Sequence, residues 1–266
     1  MAPATNSPQD AALLDDGRLA AGLAERAGQL LLELRDELGF GDPAALRAAG
    51  DRRSHEWLLK AFADHRPGDA VLSEEGVDDP VRLTAERVWI VDPLDGTREY
   101  GEAGRTDWAV HVALWTRDQG LAAGAVSLPA QSVVLSTAAP PPRSAPSGER
   151  LRIVTSRTRP PGFLPELARR LGADLVPLGS AGAKVCAVVQ GTVDAYVHAG
   201  GQYEWDSAAP VAVALATGHY ASRLDGSTLE YNQPNPSLPD LVVCRPEIAP
   251  RLLAALNEIP RTEKGA

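Results

Sequence analysis

The chain has 266 residues, 44% of them hydrophobic, and carries a formal net charge of −9. That length suffices for a large core, as one big domain or two coupled subdomains. The acidic balance and the lack of any basic run argue against a nucleic-acid-binding surface, so an anionic substrate would need cations concentrated at its site.

The first sixteen residues are polar and acidic and lack the apolar stretch of a signal peptide. No segment approaches 18 uninterrupted apolar residues, so the expectation is a soluble, cytoplasmic protein without a membrane span. Apolar residues at helical spacing (Leu13, Leu19, Leu23, Leu30, Leu34, Leu38) predict a first helix over 10–38, ended by Gly39. A second helix is expected over 54–65, stopped by Pro67-Gly68. Strand-like runs follow at 70–72, 87–91, 108–115, 124–128 and 132–137. His111, between Val110 and Val112 in the third of these runs, reads as a satisfied core or edge residue.

Residues 138–149 (AAPPPRSAPSGE) are Pro-rich and without periodicity. Beyond them, strands at 151–154, 175–178, 193–198, near Tyr220 and at 241–244 alternate with helices at 163–171, 182–190, 206–217 and 247–257. The pattern is mixed α/β in two halves: an N-terminal α+β subdomain over 1–137, a Pro-rich loop over 138–150, and a C-terminal α/β subdomain over 151–266. The loop lies within the fold and does not separate independent domains. Cys186 and Cys244 sit in apolar runs without metal-ligand spacing and read as buried free thiols.

Chemistry concentrates at Trp89-Ile90-Val91-Asp92-Pro93-Leu94-Asp95-Gly96-Thr97. Two carboxylates follow an apolar run, on a turn tightened by Pro93 and opened by Gly96, and Thr97 adds a hydroxyl. Carboxylate and carbonyl oxygens at a strand end suit a hard divalent cation. Ser73-Glu74-Glu75 ends another strand-like run, and Trp205-Asp206-Ser207-Ala208-Ala209 opens an apolar helix with Asp206 at the N-cap. Each alone passes for ordinary turn or cap chemistry. Three separate element ends carrying acidic oxygens are what a two-metal site needs.

Together, the Asp92–Thr97 string, Trp205–Ala209 and the upstream Glu74-Glu75 resemble the inositol monophosphatase superfamily over roughly residues 10 to 258. Arg98-Glu99-Tyr100, Val154-Thr155-Ser156-Arg157 and Gly179-Ser180-Ala181-Gly182-Ala183-Lys184 are most similar to its 3'(2'),5'-bisphosphate nucleotidases of the CysQ type. The resemblance implies alternating layers of helices and two mixed sheets, a homodimer, and two or three Mg²⁺ ions. It implies that Glu74, Asp92 and the Leu94 carbonyl hold one ion, and Asp92, Asp95 and Asp206 a second. Gly96 and Thr97 N–H groups would meet the phosphate, with Arg98, Ser156, Arg157, Ser180, Lys184 and Asp206 as further substrate contacts. Water would attack, oriented by Thr97, Glu74 and an upstream acid, for which Asp51 is the candidate. Asp51 serves equally as a helix-start cap on the sequence alone.

The substrate so implied is 3'-phosphoadenosine 5'-phosphate (PAP), or its sulfated relative PAPS, in sulfate assimilation. Inositol-1-phosphate and fructose-1,6-bisphosphate are the alternatives within the superfamily. An aspartyl-phosphate mechanism is excluded, because Pro93 stands where its nucleophile would be. A non-catalytic nucleotide sensor would have no need for every acidic position.

Overall fold

The structure is a computed structural model and describes residues 8–146 and 148–259. Helix α1 (Pro8–Leu38) ends at Gly39, which takes a left-handed φ of 62°. Helix α2 (Pro43–His65) starts well before the expected residue 54. Asp42 accepts the Ala44 and Ala45 N–H groups, and Pro43 occupies a first-turn position where its missing N–H is no loss. Asp51 therefore lies in mid-helix. The helix-cap alternative for that residue is wrong.

The first sheet holds β1 (Ala70–Ser73), β2 (Arg87–Asp95), β3 (Ala109–Thr116), β4 (Gly120–Leu128) and β5 (Val133–Ser136) in that order. β1 and β2 are parallel and the remaining pairs antiparallel. β4 begins four residues before the expected Gly124. Between β2 and β3 lies a single turn of helix, α3 (Thr97–Tyr100).

The second sheet contains β6 (Arg152–Ser156), β7 (Asp174–Leu178), β8 (Ala195–Ala199), β9 (Tyr220–Ser222) and β10 (Asp240–Cys244), ordered β7-β6-β8-β10-β9. Its β6, β7 and β8 are mutually parallel, and β10 pairs antiparallel to β8 and β9. Helices α4 (Leu164–Leu171), α5 (Ala181–Val189), α6 (Glu204–Ala216) and α7 (Ala249–Asn257) complete the chain.

Strand alternation sorts the core into compartments. In β2, Trp89 and Val91 join α1 and α2, whereas Val88 and Ile90 join α5 and α6. In β10, Leu241 and Val243 face α5 and α6, and Val242 and Cys244 face α4 and α7. The layers thus run α1/α2, first sheet, α5/α6, second sheet, α4/α7. A fully buried aromatic such as Trp89, packed 5.0 Å from the Phe62 ring, contributes on the order of 2–3 kcal/mol. Cys186 and Cys244 are buried free thiols, as expected. No helix among the described residues is long and apolar enough to cross a membrane.

The site lies where the two halves meet. α6 belongs to the second half yet packs on β2, β3 and β4 of the first. Its first turn is thereby carried to the end of β2.

Candidate active site

β2 does not stop at Pro93. It runs to Asp95, and its register against β3 shifts between Asp92 and Asp95. A bulge there tolerates a proline, which has no N–H to give a ladder. The expected turn is therefore an irregular strand end, followed by Gly96 at φ 81°. A Cβ on Gly96 would come within 3.0 Å of the Ser180 Cβ, so both conformation and space require glycine. The carbonyls of the segment are held in place. Ser54 donates its hydroxyl to Pro93 O at 2.7 Å, and Thr97 donates to Leu94 O at 3.0 Å.

One oxygen each from Asp92, Asp95 and Asp206 lies within 4.8 Å of the other two. They line a cleft of about 280 Å³ together with Glu74, Leu94, Gly96 and Thr97. Glu74 follows β1 on an exposed loop tied down by the Glu74 N–H to Val91 O bond and by the contact between Ser73 Oγ and His55 Nδ1 at 2.9 Å. Asp206 is the third residue of α6 rather than its N-cap. Its Oδ2 accepts the Tyr203 N–H at 2.7 Å, a cap made from inside the first turn.

The carboxylates disturb one another strongly. Burial and the charges of Glu74, Asp95 and Asp206 raise the Asp92 pKa well above the usual range. Partial desolvation in the cleft, Asp206 and Asp95 bring Glu74 up to about 7, and burial with Asp95 brings Asp206 up to about 6. Asp95 goes the other way. Burial opposes its charge, but His111, Lys184 and Ser180 hold it below the ordinary carboxylate value. Ser180 Oγ donates to its Oδ2, as does the Gly182 N–H, and the Ala181 N–H reaches Oδ1 at 3.1 Å. A cluster of ionisable oxygens with no nitrogen or sulfur donor fits a hard divalent cation, whose charge would relieve the mutual repulsion.

Thr97 Oγ1 also stands 3.3 Å from Asp51 Oδ1. Asp51 is half-buried, and burial with the nearby Glu75 raises its pKa to about 6. Among the expected substrate contacts, the structure separates free groups from committed ones. Arg98 lines the cleft, exposed, its guanidinium without an ion pair or hydrogen bond among the described residues. Arg157 is committed: it binds Glu99 at 2.6 Å and Glu102 at 2.9 Å. Ser156 Oγ accepts the Arg159 N–H, leaving the hydroxyl at the cleft edge. Ser180 caps α5 through the Ala183 N–H while its own hydroxyl goes to Asp95. Lys184 is buried, and its Nζ donates to Ser180 O at 2.6 Å and to Gly179 O.

Sequence reasoning missed several members. His111 is fully buried, with Nδ1 3.0 Å from Trp205 O and Nε2 3.2 Å from Asp95 Oδ2. Arg159 is a second exposed cleft guanidinium without a partner among the described residues. His198 and Gln202 line the cleft floor. Asp107 accepts the Gly179 N–H at 2.6 Å and so fixes the loop leading into Ser180. Only the Gly-Ser-Ala-Gly run hinted at that close approach.

The pattern of the inositol monophosphatase family matches residues 18–261. A 3'-phosphoadenosine 5'-phosphate phosphatase of Mycobacterium leprae is 54% identical over 257 residues, covering 92% of this chain and 95% of its own. The 3'(2'),5'-bisphosphate nucleotidase CysQ of Escherichia coli is 29% identical, over 79% of this chain and 91% of its own. Among solved structures, CysQ from Bacteroides thetaiotaomicron has a TM-score of 0.77 at 23% identity, covering 87% of this chain and 97% of its own. That likeness is one of fold.

Proposed function

The chain is a phosphatase of the inositol monophosphatase family, and we propose that it removes the 3'-phosphate of 3'-phosphoadenosine 5'-phosphate in a Mg²⁺-dependent reaction. The observation that carries this reading is a pairing within one cleft. The oxygens of Asp92, Asp95 and Asp206 converge in it, and two exposed guanidiniums, Arg98 and Arg159, unpartnered among the described residues, line it as well. Such a cleft has one place for a reacting phosphate and a second for an anion that is bound but not hydrolysed. The 54% identical Mycobacterium leprae enzyme supports the choice of substrate.

Asp92, Asp95, Asp206, Glu74 and the Leu94 carbonyl would hold the cations. Bound there, Mg²⁺ supplies charge neutralisation at the phosphoryl oxygens and lowers the cost of ionising water. The residues of the chain do the rest. Backbone N–H groups of Gly96 and Thr97 position the phosphate. The Thr97 hydroxyl accepts from the attacking water, and Asp51, its pKa raised to about 6, takes the water proton through Thr97 once that hydroxyl turns from Leu94 O to Asp51 Oδ1. Water oxygen forms the new bond to phosphorus, the bond to the ribose 3'-oxygen breaks, and that oxygen takes a proton from solvent water to leave as the AMP hydroxyl, while Asp51 returns its proton to solvent. Ser180, the α5 N–H groups and His111 keep Asp95 ionised and oriented throughout.

The same reading includes PAPS as a further substrate, sulfate assimilation as the setting, a cytoplasmic location and a homodimer. Its test is product analysis. With Mg²⁺ present, PAP should yield AMP and inorganic phosphate. Release of the 5'-phosphate, to give adenosine 3'-monophosphate, would overturn the assignment of the reacting end.

A further inference from the structure

Two buried polar atoms of cleft-lining residues, His198 Nε2 and Gln202 Oε1, have no hydrogen-bond partner among the described residues. Both residues line the cleft that Asp206 also lines, and they are only 8% and 5% exposed. Buried polar atoms are nearly always paired, so two orphans on residues that line one cleft call for a ligand.

The backbone explains their direction. Along β8, Ala195 and Val197 enter the outer core beside α4 and α7, while Tyr196 enters the core shared with α5 and α6. His198 falls on the Tyr196 face by the strand period of two. Gly200 and Gly201, left-handed at φ 88° and 69°, then turn the chain back. Gln202 returns to donate its Nε2–H to the Tyr196 hydroxyl at 3.0 Å. With the amide nitrogen so engaged, Oε1 remains as an acceptor.

The Gly200 carbonyl favours a proton on the His198 ring, and because Nε2 is the nitrogen left without a partner, we place that proton on Nδ1. Burial, Lys184 and Arg159 push its pKa down to about 4, so the ring is neutral near pH 7 and Nε2 offers a lone pair.

We propose that His198 Nε2 and Gln202 Oε1 form a leaving-group subsite, a pair of acceptors that take neutral hydrogen-bond donors of the substrate nucleoside. The donors available on an adenosine bisphosphate are the ribose 2'-hydroxyl and the exocyclic amine of the base. Phosphate oxygens act as acceptors near neutral pH, so these two acceptors disfavour them and leave the anionic groups to Arg98, Arg159 and the cations that the acidic cluster would hold. The subsite rests on the nucleotidase reading and adds to it the residues that select the nucleoside.

The test compares kcat/KM for adenosine 3',5'-bisphosphate, its 2'-deoxy analogue and its inosine analogue. Each is assayed with the wild type, His198→Phe and Gln202→Met at saturating Mg²⁺. The ratio of two substrates on one preparation cancels any difference in folded fraction. The wild type should lose at least about tenfold on one analogue, as sites built to bind a donor do. One of the two substitutions should shrink that penalty to about twofold or less. A 2'-deoxy penalty identifies the ribose hydroxyl as the donor, and an inosine penalty the amine. Equal rates on all three substrates, or a penalty unchanged in both variants, would sink the subsite alone. A wild type inactive on adenosine 3',5'-bisphosphate would sink the nucleotidase reading and the subsite with it.

Discussion

His111 Nε2 lies 3.2 Å from Asp95 Oδ2, with both side chains buried between the first sheet and the α5/α6 layer. The β2–β3 ladder places them: His111 pairs with Asp92, and the bulge that follows swings Asp95 back across its ring. Burial alone would lower the His111 pKa, but Asp95 and the Trp205 carbonyl outweigh it and raise it above the ordinary histidine value. The imidazole therefore orients a carboxylate that faces the cation position. Replacing a side chain that orients a metal ligand typically costs about 10–100-fold in affinity. His111→Leu should weaken Mg²⁺ binding by that order in a calorimetric titration, and an unchanged isotherm would remove His111 from the site.

Gly182 tests the same arrangement from the other side. A Cβ there would fall 2.0 Å from His111 Nε2, inside any allowed contact. Alanine is the better helix former, yet Gly182→Ala should destabilise the protein by about 1–3 kcal/mol through overpacking. It should also weaken cation binding along with His111→Leu. A thermal melt showing a gain in stability would mean that the ring moves aside freely.

The carboxylate cluster makes cation affinity depend on pH. Without a cation, the native protein binds protons at Asp92, Asp206 and Glu74 that an unfolded chain would have released above about pH 5. Raised native pKa values thus destabilise the cation-free fold progressively as pH rises from about 4 to 7. A cation displaces those protons, so Mg²⁺ affinity should rise from pH 5.5 to 7.5. Calorimetry in two buffers of different ionisation enthalpy should register proton release. Affinity independent of pH would contradict the mutual raising of these groups.

For the same reason, Asp92→Asn should abolish turnover and raise the melting temperature measured in chelator. Relief of about 1 kcal/mol corresponds to roughly 2–4 °C for a chain of this size. A lower melting temperature would contradict that relief, since the asparagine keeps an oxygen able to accept the Leu94 N–H.

The arginines divide by partner. Arg98→Ala and Arg159→Ala should each raise KM for PAP about tenfold, because each removes a free guanidinium from the anion side of the cleft. Arg157→Met should instead act through stability, since it strands Glu99, which is 5% exposed, without its main cation. Kinetics and melting curves on the three variants separate these roles. A PAP-specific KM defect for Arg157→Met at unchanged stability would return it to the substrate.

Much of this was legible in sequence because the chemistry is local. Asp92, Asp95, Gly96 and Thr97 are contiguous, and Trp205-Asp206 opens an apolar helix. Strand alternation placed most of the elements. The failures share a cause, long-range contact. Asp92-Pro93 read as a turn beyond a strand over 87–91, because a bulge cannot be seen without its partner strand. The start of α2 was missed although Asp42-Pro43 carries a cap signal, because Gly41 and Gly50 weaken the periodicity. Gly50 is there for packing: a Cβ would meet the Tyr100 ring at 2.7 Å. His111 looked like core and is core. Its second role exists only because Asp95 and α5 close over it.

The central claim is tested most directly by kcat/KM for PAP, inositol-1-phosphate and fructose-1,6-bisphosphate on one preparation with Mg²⁺. PAP should lead by at least about tenfold, or roughly 1.4 kcal/mol of transition-state binding. Equal or greater efficiency on either of the other two would contradict the nucleotidase assignment while leaving the metal-dependent phosphatase site in place.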